Sequence, residues 1–140
     1  MRAAVCPAYG PPEVVRIDER PSPTVAPGQV RVKVSAAAVN FPDVLLIANE
    51  YQISVPPPFV PGSEYAGVIV ETGEGAEGFA VGSRVTGTGL YGAFAEEVVV
   101  PSAKLSRTVS TSAPQRRWAW RIGRPITRCG RSPVCTRATS

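Results

Sequence analysis

Apolar residues in the first hundred positions come in short bursts, each cut off by a glycine, a proline or a charge. The bursts are "RAAVC" (2–6), "EVVRID" (13–18), "VRVKVSAAAVN" (30–40), "YAGVIVETG" (65–73), "SRVTG" (83–87) and "FAEEVVVP" (94–101). In the third, Val30, Val32 and Val34 alternate with Arg31, Lys33 and Ser35. A period of two puts one set of side chains on one face, and valine suits a pleated, half-buried surface, so these stretches are expected to be strands. The segments between them, "YGPPE", "RPSPTVAPGQ", "VPPPFVPG" and "GEGAEG", are dense in proline and glycine. Proline has no N–H for a ladder and cannot sit inside a central strand or a helix, so these are turns and long surface loops. One segment breaks the pattern. "PDVLLIANEY" (42–51) groups Val44, Leu45, Leu46 and Ile47 behind Asp43, which can cap a first turn, and ahead of Asn49, which can close the last. It predicts a helix of about two turns. The expected fold is mainly β and antiparallel.

Two glycine patterns, Gly73–Gly78 and Gly87–Gly92, satisfy G-x-G-x-x-G. That pattern cradles a pyrophosphate only where a helix follows at once. "FAVGSRV" and "AFAEEVVVP" follow instead, so both are read as turns between strands.

Charge changes the picture at one point. The whole chain of 140 residues carries +4, yet residues 1–106 hold seven lysines and arginines against all eleven acids, a balance of −4. Residues 107–140 hold eight arginines and no acid, together with both tryptophans, Trp118 and Trp120. Cys6, Cys129 and Cys135 form no C-x-x-C pair, and the chain has no histidine, so neither a disulfide framework nor a zinc site is indicated. No apolar run approaches a membrane span and the N-terminus has no signal-like stretch. A soluble, cytoplasmic protein with no membrane partner is expected.

The ordered set V-N-F-x-D (Val39–Asp43), Tyr51, P-G-S-E (Pro61–Glu64) and G-x-R-V (Gly82–Val85) resembles the medium-chain dehydrogenase/reductase superfamily in its zinc-independent quinone oxidoreductase branch. The resemblance runs from Met1 to about Leu105. It implies a GroES-like N-terminal domain over residues 1–106, a partly open β-barrel with short helices. In that superfamily a Rossmann domain binding NAD(P)H follows, and the active site lies between the two. The zinc-dependent alcohol dehydrogenases carry a cysteine at the place of Asn40 and a histidine at the place of Ser63. An amide and a hydroxyl do not replace them, so the implied chemistry is metal-free hydride transfer from NADPH to a quinone or conjugated enone.

The same resemblance carries Asn40, Asp43 and Tyr51 onto the cleft wall: Tyr51 as a catalytic residue, Asn40 and Asp43 as cofactor-binding residues. An amide N–H or a phenol O–H there would stabilise charge developing on the acceptor oxygen. Local alternatives stand beside each. Asp43 also reads as the helix cap, Asn40 as a partner of loop backbone, Tyr51 as packing beneath the proline-rich loop, and Glu64 with Arg84 as a structural ion pair.

After "VVVPSAKL" the resemblance stops. The segment from Arg107 has neither helical nor strand period, and little aliphatic content to offset its ordering entropy, so residues 107–140 are expected to be a poorly structured or disordered tail. A reading-frame slip accounts for it: shifted by one base, Trp118 followed by Ala119 must encode Gly, and one permitted reading of the segment contains T-A-Y-H-A-L, which the superfamily places there. On that reading the NAD(P)-binding Rossmann domain is absent and the chain alone is inactive. The rival reading is a basic tail whose arginines contact phosphates while Trp118 and Trp120 stack on bases of a nucleic acid or meet another acidic partner. It is the weaker, because nothing upstream supplies a complementary basic face. The sequence sets no oligomeric state.

Overall fold

The computed structural model describes residues 1–108. Seven strands, one α-helix and two single 3-10 turns follow in the order β1 (Arg2–Val5), a 3-10 turn at Pro12–Val14, β2 (Arg16–Glu19), β3 (Gln29–Ala38), α1 (Phe41–Ala48), β4 (Glu64–Thr72), β5 (Arg84–Thr88), β6 (Glu97–Pro101), a 3-10 turn at Ser102–Lys104, and β7 (Leu105–Arg107). The described fold is mainly β with one short helix, as the alternation in the sequence predicts.

All strand pairs are antiparallel. β1 and β2 form a two-stranded sheet; the other five lie in the order β6-β3-β4-β5-β7. Single bridges from Ala3 to Ala95 and from Cys6 to Phe59 tie β1 and the residue after it to the loops of the larger unit. The central pair is β3 with β4. Val30 and Val32 are fully buried, and further along the same strand it is Ala37 that faces inward. Even positions give way to an odd one because the ladder shifts register between Val34 and Ala36, and a bulge of that kind exchanges the two faces. β4 buries Tyr65, Gly67 and Ile69 in strict alternation. Gly67 sits against β3 so closely that a Cβ there would overlap the carbonyl oxygen of Lys33. These residues join Val85, Val98 and Leu105 in the main core; a second cluster of Cys6, Leu46, Ile47, Val55 and Phe59 lies under the helix.

Three expectations need correction. "EVVRID" is not one strand: two prolines, Pro11 and Pro12, start a 3-10 turn through Val14, and the strand begins only at Arg16. The last expected strand begins at Glu97 rather than at Phe94. Glu64 and Arg84 do not pair: Glu64 lies opposite Thr88 while Arg84 lies opposite Val68, at the two ends of the β4-β5 ladder. The Gly73–Gly78 run lies in the connection from β4 to β5, as read from the sequence, whereas the Gly87–Gly92 run begins with the last two residues of β5 and only then enters the connection to β6. The expected tail lies outside the described residues except for its start: Arg107 is in β7, donates to the carbonyl of Gly78, and stacks its guanidinium 5.6 Å from the Phe79 ring centroid.

Candidate functional site

The β3-β4 ladder ends with Ala38 opposite Glu64, and the β4-β5 ladder ends with Thr88 opposite the same Glu64. Three backbone segments therefore meet at one end of the sheet: the chain leaving β3, the chain entering β4, and the chain leaving β5. Asn40 lies on the first, Ser63 on the second and Gly89 on the third. Gly89 N–H donates to the Ser63 carbonyl at 2.7 Å, which fixes the second to the third.

α1 starts at this junction. Asn40 is its N-cap, in extended conformation, and Pro42 occupies its first turn, where the missing N–H has no partner to lose. Asp43 is therefore the third helical residue, not the cap itself. Its Oδ2 accepts the Asn40 N–H at 2.7 Å while its own N–H donates to the Asn40 carbonyl at 3.0 Å, a reciprocal lock on the first turn. At the other end Asn49 takes φ 60 and closes the helix as expected.

The Asn40 side chain turns to the neighbouring segment: Nδ2 donates to Ser63 Oγ at 3.3 Å. An amide nitrogen has two hydrogens, so one N–H and the amide carbonyl remain for another partner. Tyr51 is half-buried and packs on the cluster formed by Cys6, Leu46, Ile47, Val55 and Phe59. Asn40, Tyr51, Ser63 and Glu64 line one cleft of about 430 Å³, with Phe41 and Leu90 among its apolar walls. Phe41 is 73% exposed, so one wall is an unpartnered aromatic ring.

Of the three residues expected on the cleft wall, the structure brings Asn40 and Tyr51 together and sets Asp43 behind them. Asp43 is 2% exposed, does not line the cleft, and its Oδ1 has no hydrogen-bond partner among the described residues. Burial pushes its carboxyl above the ordinary range; the Asn40 N–H and Ser63 pull it back, and the charge of Glu64 adds to the push. Ser63 is the cleft residue whose polar role the local sequence pattern left unsaid, because its partner Asn40 is remote in the chain and only the β3-β4 pairing joins them.

The cleft has no lysine or arginine among its described lining, and its one acidic side chain is that of Glu64. It suits an uncharged ring bearing hydrogen-bonding groups, not a phosphate. Among the described residues no cluster of potential metal ligands is found.

The alcohol dehydrogenase GroES-like domain model matches residues 26–110. The quinone oxidoreductase-like protein 2 homolog of Nematostella vectensis is 38% identical over 111 residues, which cover 79% of this chain and 30% of that protein. A quinone oxidoreductase of Pseudomonas syringae superposes with a TM-score of 0.74 at 30% identity, covering 79% of this chain and 34% of its own. A mycobacterial protein solved in complex with NADPH gives 0.71 at 30% identity, over 78% of this chain and 34% of that one. The chain spans less than a third of the length of the curated relatives it matches.

Proposed function

The chain belongs to the alcohol dehydrogenase GroES-like domain family, in the zinc-independent quinone oxidoreductase-like branch of the medium-chain dehydrogenase/reductase superfamily, and from this premise we propose that its cleft is the acceptor wall of an NADPH-dependent reductase of quinones or conjugated enones. The observation that carries the reading is the Asn40-Ser63 hydrogen bond in a cleft shared with Tyr51. At the two places where the zinc-dependent branch has ligands, this chain has an amide bonded to a hydroxyl. Neither is a ligand that zinc selects, and a quinone or enone accepts hydride without a Lewis acid.

NADPH would supply the hydride. The chain's residues fit the ring end of that cofactor and not its phosphates, since the cleft has no basic lining, so the phosphates belong to a nucleotide-binding domain outside the described residues. Asp43 holds the Asn40 main chain, and Ser63 holds its amide, so the remaining Asn40 N–H and carbonyl are presented with little rotamer freedom left to lose. The Tyr51 phenol can donate to an acceptor oxygen as charge gathers there. Phe41, Pro42 and Leu90 exclude water from a flat ring between them.

The test is a hybrid in which residues 1–107 replace the corresponding domain of the Pseudomonas enzyme, assayed for quinone-dependent NADPH consumption. Asn40→Ala is expected to lower kcat/KM by about 100- to 1,000-fold, the scale of a lost donor at a developing oxyanion. A folded hybrid with native-like activity and no response to Asn40→Ala or Tyr51→Phe would refute the assignment.

A further inference from the structure

Glu64 lines the cleft, and none of the ion pairs among the described residues includes it. It is exposed and sits on the last rung of both the β3-β4 and the β4-β5 ladders, so strand pairing on either side fixes the point from which its side chain leaves the sheet. Its charge is felt beyond the cleft wall, where it is one of the causes that push the buried Asp43 carboxyl up. No lysine or arginine among the described lining offsets it. The other walls act in the same direction. Phe41 and Tyr51 line the same cleft, and the face of an aromatic ring carries a negative potential that attracts cations and disfavours anions. The Asn40 amide carbonyl, left free by the bond from Nδ2 to Ser63, is one more acceptor. The sign at the cleft is thus opposite to that of the whole chain, which carries +4.

We propose that the cleft selects its acceptor by charge and that Glu64 is the specificity-determining residue: quinones or enones with a cationic substituent are preferred to uncharged ones, and those with a carboxylate, sulfonate or phosphate are disfavoured. This rests on the acceptor reading of the cleft and narrows it. In a cleft of about 430 Å³ a charged substituent on the bound ring stays within the roughly 10 Å over which charges interact at ordinary ionic strength. Even in water-like surroundings, a unit charge about 6 Å away separates the cationic from the anionic form of one acceptor by about tenfold in affinity.

The full chain, labelled with nitrogen-15, is titrated at neutral pH and low salt with three forms of a dimethylnaphthoquinone, whose second ring bears hydrogen, a sulfonate or a trimethylammonium group; full substitution of the quinone ring prevents addition to the thiols. All three are expected to shift the Asn40 and Ser63 amides, the trimethylammonium form at about tenfold lower concentration than the sulfonate. About 1 M salt, which shortens the screening length to about 3 Å, should bring the two together. Glu64→Gln, close in shape and without the charge, is expected to reduce the ratio between them to about threefold or less. If the three forms shift the cleft amides with one affinity, or the sulfonate binds there more tightly as the net charge of the chain alone would favour, charge selection is refuted and the acceptor reading stands. A ratio that survives in folded Glu64→Gln refutes the assignment to Glu64. If none of the three shifts the cleft amides, the acceptor reading falls and takes the inference with it. The wild-type comparison can overturn the proposal even if Glu64→Gln does not fold.

Discussion

Asp43 is a carboxylate placed where solvent cannot reach it, and it earns its position by holding the first turn of α1. Because its folded pKa is raised, the folded state binds the proton more tightly than the unfolded chain, and the protein loses stability as pH rises from the ordinary carboxylate range through the raised value. Asp43→Asn keeps an acceptor for the Asn40 N–H and removes the titration. Its urea midpoint, compared with wild type across that window, is expected to lose the downward slope, while Asp43→Ala, which loses the acceptor as well as the titration, costs about 1 kcal/mol below the window and less above it. A slope unchanged in Asp43→Asn would place the titration elsewhere. Tyr65 gives a second residue-scale prediction. Burial pushes its phenol up to about 12, and its hydroxyl has no partner among the described residues. Tyr65→Phe removes a desolvated polar group and is expected to raise stability by up to about 1 kcal/mol by urea denaturation. It also abolishes the loss of stability that wild type shows as pH climbs toward about 12. At this scale the place of Asn40 and Tyr51 on one cleft was legible because ordered motifs surround them, whereas the burial of Asp43 behind them was not. Asp43 looked like a cap because it precedes the apolar run, yet Pro42 lets the helix begin earlier and moves the cap to Asn40.

Among the elements, the β3-β4 pair decides where the site forms, because its last rung sets Asn40 beside Ser63. That pairing depends on Gly67, where a Cβ would collide first with the Lys33 backbone carbonyl and also with the Val32 side chain. Gly67→Ala is expected to destabilise the domain by about 1–3 kcal/mol in urea or thermal denaturation, and to weaken any ligand response at Asn40 in the same protein. A variant as stable as wild type would mean that the two strands separate more easily than their register implies. Strands with a period of two were legible from their valines. What escaped was contextual: the three residues of β7 are too few to show a period, the bulge in β3 leaves no mark beyond a change of parity between Val32 and Ala37, and the 3-10 turn at Pro12 hides inside an apolar run. Ser63 belongs to the same class, a polar residue given its partner by strand pairing alone.

For the whole molecule, the cleft is one wall of a site, open on the side where Phe41 stands exposed and poor in the positive charge that a dinucleotide's phosphates require. Relatives carry roughly twice as much chain again outside the matched segment. A frame slip near Ser106 further predicts that resequencing the gene from the codon of Val100 onward will reveal a one-base change, or an alternative frame coding for a glycine-rich dinucleotide-binding turn; a clean frame with no such coding would make the arginine-rich segment genuine. On the proposed reading, this cleft supports hydride transfer without a metal. The most direct measurement is quinone-dependent NADPH consumption by the hybrid carrying residues 1–107, after exhaustive dialysis against a chelator. The expected result is an undiminished rate that added zinc does not raise. A rate that vanishes on chelation and returns with zinc, or a folded hybrid that consumes no NADPH with any quinone or enone, would contradict it.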